Sequence, residues 1–328
     1  MSDSAEVIIH ESAEPRALLA AARAALRRRE IPAALHYESE AQAALWLAVH
    51  KAHSPWIRDE RCRALYRTAF GDLAGQFKMR AVGVLSLGCG SGEKDALLLG
   101  ALREAEAKAC YRSHDVSRAL ALAAYERCAA LTNETLAPMV AALPPDAALR
   151  AALVDGFNLG APVLTLMLGL SPNFEPAEFF SAVKIMSAAG PVLLSANLAP
   201  EEERDYAAAV AAVLPQYNNP ETRAWLLSTL SGIGLAPEDG TLVFRPGGPD
   251  AEFGVCCIEA RFEMTRRREL MACGEQLLLE PRDSMRVFFS YRYTPALMEA
   301  SLRRCGLALA KSWLSSAGDE GLFLVQPV

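Results

Sequence analysis

The sequence lacks the features that mark metal-binding, secreted and membrane proteins. Its eight cysteines include no C-x-x-C pair, and its five histidines (His10, His36, His50, His53 and His114) show no ligand spacing, which argues against a zinc site. No apolar run approaches the ~20 residues that a membrane span needs. Residues 1–6 are too acidic and polar for a signal peptide. We therefore expect a cytoplasmic protein with reduced cysteines, no metal and no membrane association.

Basic residues are too few for a broad nucleic-acid surface. The formal net charge is −6, from 33 Lys and Arg against 39 Asp and Glu. The 328 residues are 52% hydrophobic, which is enough for one large or two ordinary domains. We expect a small-molecule substrate and no nucleic-acid partner, and the sequence does not define an oligomeric state.

The most informative segment is 84–95, which reads VLSLGCGSGEKD. An apolar run ends in Gly88, Gly90 and Gly92, a helical pattern follows, and the next apolar-flanked segment ends in Asp115. A strand, a glycine turn, a helix and a strand ending in a carboxylate form the layout of a nucleoside-binding βαβ unit. The G-x-G-x-G spacing departs from the dinucleotide fingerprint, and no Walker sequence is present. This pattern favours S-adenosylmethionine (SAM) over NAD or a nucleoside triphosphate.

Two acids support the cofactor prediction. Asp115 would accept hydrogen bonds from the ribose hydroxyls. Asp155 follows the apolar run 149–154, which we interpret as the third strand, and would lie near the adenine amine. The alternative is structural: the glycines would form only a tight turn, and Asp115 would cap a helix that begins near Ser117.

The order of elements predicts an α/β fold with a doubly wound, mainly parallel sheet. Helices are expected at 13–30, 39–52 and 57–77, a further helix at 176–188 and a strand at 191–197. From about Pro200, two helices and helix-free runs at 241–245, 252–264 and 275–289 indicate an antiparallel sheet, before a last helix (294–305) and two strands. We divide the chain into N-terminal helices (1–60), a cofactor domain (61–199), an inserted substrate domain (200–292) and a segment that completes the cofactor domain (293–328).

Four segments carry a family resemblance: 87–95 (LGCGSGEKD), 115–117 (DVS), 168–176 (LGLSPNFEP) and 290–293 (SYRY). Together they resemble the histidine-specific SAM-dependent methyltransferases, whose best-known member trimethylates the α-amino group of histidine in ergothioneine biosynthesis. The resemblance runs from about Ile31 to the C-terminus. It implies a Rossmann-like class I methyltransferase fold, with a second α+β substrate domain built from the N-terminal helices and an insertion before the last strands.

The resemblance also implies site residues. Those for SAM are Tyr37, Gly88, Gly90, Lys94, Asp115 and Asp155. Asn173 and Tyr217 would hold the α-amino and α-carboxylate groups of an amino-acid substrate and orient the amine for methyl transfer. Ala260, Phe288 and Ser290 would line the side-chain pocket. Read singly, Asn173 could instead close a turn, and Tyr217 could be a core tyrosine.

One departure changes the expected substrate. The family has Glu-x-Ser where this chain has Phe288-Phe289-Ser290, and that glutamate pairs with the imidazole of histidine. An imidazole N–H left unpaired against Phe288 would cost ~1–3 kcal/mol, a tenfold or greater loss of preference. We expect an amine methyltransferase of secondary metabolism that acts on an apolar or aromatic amino acid, or on a larger amine, rather than on histidine.

Two alternatives stay open at the level of the sequence. If bulky Phe288 and Phe289 fill the acceptor pocket, the amine of SAM could attack its own γ-carbon and release methylthioadenosine. Alternatively, the protein could bind SAM without catalysing a reaction. Retention of Asn173 and Tyr217 counts against the second alternative.

Overall fold

A computed structural model describes residues 6–37, 39–158, 160–199 and 205–327. The chain forms two compact units. The first takes in the segment that ends at Ala13, Asp59–Leu198 and the segment from Tyr293 onward, and the second takes in Glu14–Arg58 and Ala199–Arg292. Among the described residues, no helix combines the length and hydropathy that crossing a bilayer would require.

The strands, in chain order, are β1 (Ile8–Ile9), β2 (Ala81–Leu87), β3 (Lys108–Asp115), β4 (Glu134–Thr135), β5 (Met139–Val140), β6 (Val163–Met167), β7 (Val192–Asn197), β8 (Gly240–Gly247), β9 (Cys257–Met264), β10 (Arg268–Ala272), β11 (Glu275–Leu279), β12 (Ser284–Tyr291), β13 (Leu307–Leu314) and β14 (Glu320–Pro327). The α-helices are α1 (Pro15–Arg27), α2 (Glu40–His53), α3 (Pro55–Arg58), α4 (Glu60–Gln76), α5 (Glu93–Glu104), α6 (Arg118–Cys128), α7 (Ala147–Val154), α8 (Pro176–Ser187), α9 (Tyr206–Ala212), α10 (Pro220–Gly232) and α11 (Pro295–Arg304).

The first unit is a doubly wound sheet with the order β1-β5-β3-β2-β6-β7-β14-β13, and β4 also pairs with β3. From β1 to β7 the pairs are parallel, whereas β14 is antiparallel to both β7 and β13. The five strands β5-β3-β2-β6-β7 have the 3-2-1-4-5 order of a Rossmann sheet. The predicted Rossmann-like α/β fold is therefore confirmed, and an antiparallel hairpin takes the place of a sixth parallel strand.

The strand order reverses between β2 and β6, so their carboxyl ends form the topological switch point of the sheet. Open α/β sheets bind ligands in the crevice outside the strand ends at this point. All five residues of β6 and six of the seven residues of β2 are buried, as expected for strands covered on both faces. A ligand site is therefore expected at the residues that follow Leu87 and Met167.

The second unit contains the antiparallel sheet β12-β9-β8 and the hairpin β10-β11. Its core joins one face of this sheet, including Phe262 of β9, to helices from both chain segments of the unit, including Leu26 of α1 and Leu226 and Leu230 of α10. Alternation along β9 places Ala260, Phe262 and Met264 in this core, with partly exposed residues between them. We call this buried side of β12-β9-β8 the inner face and the opposite side the outer face.

The sequence misassigned the segment 149–154. This segment belongs to helix α7, which begins after Asp146, whose side chain accepts a hydrogen bond from the Leu149 amide at 2.8 Å. A short apolar run cannot be assigned to strand or helix from periodicity alone, and the capping aspartate was the missed signal. The third strand of the sheet is β5.

Smaller differences concern the ends of the chain and the insertion. The segment 57–77 is two helices, α3 and α4, separated by Asp59, which caps α4. The run 275–289 contains two strands, β11 and β12. Residues 8–9 were assigned to the substrate domain with the rest of 1–60, but they pair with β5 and belong to the first unit.

Candidate functional site

The glycine turn lies at the switch point, directly after β2. Gly88, Gly90 and Gly92 have φ values of +60°, +54° and +72°, a region that side chains other than glycine disfavour. A Cβ on Gly88 would lie 2.6 Å from Cδ2 of Leu170, in the loop that follows β6. A Cβ on Gly92 would lie 2.8 Å from the Cα of Ala124 in α6. The absence of a side chain at Gly92 therefore lets the turn pack against α6. The absence of a side chain at Gly88 lets the loop after β2 contact the loop after β6.

Asp115, the last residue of β3, joins this turn. One of its carboxylate oxygens accepts a hydrogen bond from the Gly90 amide at 3.1 Å, and the other accepts one from the Ser117 amide at 2.9 Å. Asp115 is buried, and α6 begins after Ser117 rather than after Asp115. Each carboxylate oxygen has two lone pairs, so the carboxylate can accept further hydrogen bonds from a ligand.

Burial raises the pKa of Asp115 to about 6, although hydrogen bonds from Ser117 and Gly90 lower it. Asp95, in the first turn of α5, is also buried, and desolvation raises its pKa to about 6 while hydrogen bonds from Tyr111 and Ser86 lower it. The Tyr111 hydroxyl donates to Asp95 at 2.6 Å. At neutral pH both carboxyls are mainly ionised. One buried negative charge is therefore bonded to the glycine turn, and a second lies in the first turn of the helix that follows it.

Lys94 lies in the first turn of α5 and belongs to a chain of polar groups that the sequence did not predict. Its ammonium donates to the Tyr66 hydroxyl at 2.8 Å, and that hydroxyl donates to Glu320 Oε1 at 2.6 Å. Glu320 begins β14 and is in register with Asn197 at the end of β7. This chain therefore lies at the carboxyl edge of the parallel strands, the edge where ligands bind.

The loop after β6 holds Asn173, whose side-chain amide donates to the Gly169 carbonyl at 3.1 Å. Ser195 of β7 fixes the same loop: its hydroxyl accepts from the Gly169 amide, and its carbonyl accepts from the Ser171 hydroxyl, both at 2.9 Å. The helix α8 that follows has Glu175 at its N-cap, so Asn173 closes a turn and does not cap a helix. The side chain of Asn173 is partly exposed at the switch point.

The position of Asp155 corrects the sequence prediction. Asp155 is exposed and follows helix α7, which leads into the start of β6. A crossover helix returns the chain to the amino edge of the sheet, and Arg112 accordingly donates to the Asp155 carbonyl at 2.7 Å from within β3. Asp155 is thus at the wrong edge of the sheet to bind the cofactor, and its predicted position near the adenine amine is wrong.

The residues that do follow the third strand are Ala141 and Ala142. Val140 is in register with Asp115, so Ala141 is close to the end of β3. The Ala142 amide donates to the Ser12 hydroxyl at 3.0 Å. Neither Ala141 nor Ala142 carries a carboxylate, so the residues directly after the third strand supply no third acid.

The remaining predicted residues form a cluster in the second unit. The Tyr217 hydroxyl and the Ser290 hydroxyl are 2.7 Å apart, and Arg292 donates to Tyr217 at 2.7 Å. The Phe288 ring lies 5.9 Å from the Tyr217 ring and 5.8 Å from the Trp225 ring. Tyr217 is partly exposed and packs its ring against the core, while its hydroxyl is bonded to Ser290 and Arg292 rather than free at the surface.

Tyr37 joins the cluster through Trp225, with 5.8 Å between ring centroids. Ala260 has no exposed surface and lies opposite Phe288 in the pairing of β9 with β12. Ala260 can therefore influence a pocket only through the space its small side chain leaves for Phe288. Phe289 is in register with Glu259 on the outer face, where the Arg286 guanidinium lies 4.6 Å from its ring centroid.

The described residues thus bring the predicted site together in two groups. Gly88, Gly90 and Asp115 meet in the first unit, and Tyr217, Phe288 and Ser290 meet in the second. Tyr66 and Glu320 were missed because a lone tyrosine or acid within a helix or strand carries no motif, whereas Asp95 ends the segment 87–95 but was given no role. Glu320 had one weak signal, as an acid that begins an otherwise apolar strand. No group of potential metal ligands was found within the described parts of the chain.

Several solved structures are similar to this chain at low sequence identity. No family model and no curated protein matches the sequence. Similar solved structures include the CcbJ methyltransferase from Streptomyces caelestis, 12% identical with a TM-score of 0.37 over 80% of this chain and 89% of that chain. Another is magnesium protoporphyrin IX methyltransferase from Synechocystis with bound SAH, 11% identical with a TM-score of 0.43 over 89% and 97%. A third is N,N-8-amino-8-demethyl-D-riboflavin dimethyltransferase from Streptomyces davawensis, 14% identical with a TM-score of 0.39 over 97% and 71%.

Proposed function

We propose that this chain is a SAM-dependent transferase that binds SAM at the switch point of its first unit and acts on the amine of an amino-acid-like substrate. The observation that carries the proposal is the buried Asp115 carboxylate at the end of β3, which is hydrogen-bonded to Gly90 of the glycine turn. A carboxylate at this place accepts the two hydroxyls of an adenosyl ribose. The switch point is also where this sheet type binds nucleosides.

The residues at the crevice fit the adenosyl and methionine parts of SAM. The turn at Gly88 and Gly90 presents backbone close to the ligand, since neither residue carries a side chain. Lys94 would bind the methionine carboxylate, and its bond to Tyr66 would hold the ammonium in place. The buried charges of Asp95 and Asp115 favour a cationic ligand, and SAM carries a sulfonium.

Bound SAM supplies a methyl group on that sulfonium, and the main task of the protein is to position the acceptor amine and the methyl group. We assign Asn173 and Tyr217 to orienting the acceptor amine through hydrogen bonds. An α-amine has a pKa of ~7.7–8.0, and proximity to a sulfonium favours its neutral, reactive form. Correct alignment alone can supply ~7–11 kcal/mol of the barrier reduction, so no covalent step on the protein is required.

A second chemistry is favoured by one observation. The Phe288 ring, in the position where the resembled family has a glutamate, packs against Tyr217 and Trp225 on the inner face. If these rings exclude an external acceptor, the amine of SAM would attack its own γ-carbon. The N–Cγ bond would form, the Cγ–S bond would break, and the products would be a cyclic amino acid, methylthioadenosine and one proton.

Calorimetry with SAM and a product assay test these proposals together. The assay incubates the protein with SAM, alone and with pooled proteinogenic amino acids, and identifies the products by mass spectrometry. S-adenosylhomocysteine that appears only with an acceptor supports methyl transfer, whereas methylthioadenosine from SAM alone supports the second chemistry. Binding without product leaves a non-catalytic SAM-binding protein, and the absence of any SAM binding overturns the proposal.

A further inference from the structure

A β-bulge in β12 determines which side chains of this strand reach the inner face. The pairing of β12 with β9 runs from Arg286 opposite Arg261 to Phe288 opposite Ala260, so Val287 is the extra residue. Val287 is buried in the core, and Phe288 packs against the same core. Two consecutive residues therefore lie on one side of the strand, which regular alternation does not allow.

The bulge has a specific consequence for Ser290. Beyond it, Phe288 and Ser290 lie on the inner face and Phe289 on the outer face. In an unbulged strand that begins with buried Met285, Phe289 would take the inner face and Ser290 the outer face. The hydrogen bond between Ser290 and Tyr217 therefore depends on the bulge, because a one-residue change of register moves every following side chain to the other face.

His36 contacts the backbone of the bulge. Its Nε2 lies 2.8 Å from the carbonyl oxygen of Val287, and its Nδ1 lies 2.8 Å from the Thr229 hydroxyl oxygen. A carbonyl only accepts, so Nε2 carries the proton; in the neutral ring, Nδ1 then accepts from Thr229. Trp225 adds a third contact, since its indole N–H donates to the His36 carbonyl at 3.1 Å.

The surroundings of His36 keep this arrangement in one state. His36 is buried, and desolvation lowers its pKa to about 4 against a smaller opposite effect of the Val287 hydrogen bond. The ring is thus neutral at physiological pH. The preceding segment is also fixed, because the Ile31 amide donates to the Arg286 carbonyl at 2.9 Å and the Arg286 amide donates to the Arg29 carbonyl at 2.8 Å.

We propose that His36 is a positioning residue that pins the Val287 bulge and thereby places Ser290 beside Tyr217 in the substrate pocket. The structural part stands on the contacts above, whereas the role in substrate binding rests on the proposed function. His36 touches none of the predicted reacting groups. Its effect on specificity would act through the bulge and the hydroxyl pair.

A mutant cycle measured by thermal unfolding tests the structural part. In the wild-type background, Tyr217→Phe and Ser290→Ala remove the same hydrogen bond. The loss in the double variant should therefore be smaller than the sum of the single losses. In a His36→Leu background we expect the two losses to become additive. Coupling that is undiminished in that background would overturn the proposal.

Three further variants separate positioning from general stability. His36→Gln keeps a side-chain amide able to donate to Val287 and should restore the coupling. Leu242→Ala truncates the same core from β8 and should lower the unfolding temperature but keep the coupling. If His36→Leu does not fold, His36→Phe keeps a ring against Trp225 but lacks the ring nitrogens of histidine. Undiminished coupling between Tyr217 and Ser290 in the His36→Phe background counts equally against the proposal.

The role of His36 in substrate binding is tested with variants of the adjacent phenylalanines, in which Phe288 lies on the inner face and Phe289 on the outer face. We expect Phe288→Leu to change the product yield across the pooled amino acids, and Phe289→Leu to leave it unchanged. His36→Leu should alter the amino-acid preference while calorimetry with SAM stays as in the wild type. Equal effects of the two phenylalanine variants would overturn the specificity role. If wild-type protein does not bind SAM, the proposed function fails, but the unfolding cycle still tests the bulge.

Discussion

Replacement of Asp115 by asparagine tests the cofactor site with the smallest change of shape. Asp115 accepts two backbone hydrogen bonds, from Gly90 and Ser117, with one bond to each oxygen. Asparagine has a single acceptor oxygen, and its amide nitrogen donates. One of the two backbone donors therefore loses its partner, and the ligand loses a charged acceptor.

The expected size of each effect follows from these bonds. A hydrogen bond to a charged group contributes ~1.5–3 kcal/mol, so its loss should weaken SAM binding roughly 10- to 100-fold. A buried backbone donor without a partner costs ~1–3 kcal/mol. We therefore also expect a lower unfolding temperature for the ligand-free Asp115→Asn variant, measured separately from the change in affinity.

Calorimetry with SAM, well below the unfolding temperature of every variant, gives the dissociation constants. The matched control is Asp155→Asn, because Asp155 is exposed and lies at the opposite edge of the sheet. We expect the control to bind SAM as the wild type does. An unchanged dissociation constant in Asp115→Asn, or an equal loss in both variants, would refute the assignment of the ribose site to the end of β3.

Three further predictions use the same measurements. The pKa of Asp115 is about 6, and the ligand hydroxyls donate to the ionised carboxylate. The affinity for S-adenosylhomocysteine should therefore be full near pH 7 and fall ~tenfold by pH 5. Calorimetry between pH 5 and pH 7 checks this, and Asp115→Asn should show no such fall. Histidine should bind at least about tenfold more weakly than phenylalanine or leucine, because Phe288 offers no acceptor to an imidazole N–H; titration with the three amino acids decides it, and tight histidine binding contradicts the pocket. Gly100→Ala in α5, where an added Cβ meets nothing within 4 Å, should stabilise the fold by ~0.5–1 kcal/mol, whereas Gly92→Ala should destabilise it against Ala124; a loss of unfolding temperature in Gly100→Ala would contradict the open space beside Gly100.

The fold class could be predicted from the sequence because local signals agree with the tertiary structure. The apolar run before Gly88 and the helical pattern after Gly92 correspond to β2 and α5. Thr294, Pro295 and Gly306 mark the start and end of α11, and the Thr294 hydroxyl accepts from the Leu297 amide at 3.1 Å. Such signals lie within a few residues of each other and do not depend on distant contacts.

The third strand could not be predicted, since β5 is only two residues long and its pairing partners are distant in sequence. Met139 and Val140 pair with His114 and Asp115 on one side and with the β1 segment on the other. Nothing local distinguishes this pair from a loop, whereas 149–154 forms a conspicuous apolar run. The prediction for Asp155 depends on interpreting that run as a strand, so it is wrong for the same reason.

The sequence of residues 288–290 could not show which side chains of β12 lie on the inner face either. Phe288 and Phe289 are chemically identical, so a shift of register would leave an aromatic ring on the inner face and would remove only the serine. The difference between the two registers is thus the hydroxyl pair Ser290–Tyr217, and this pair depends on a carbonyl held by His36 from a distant segment. A change in amino-acid preference on loss of His36 would therefore point to the hydroxyls, whereas a change on loss of Phe288 alone would point to the ring.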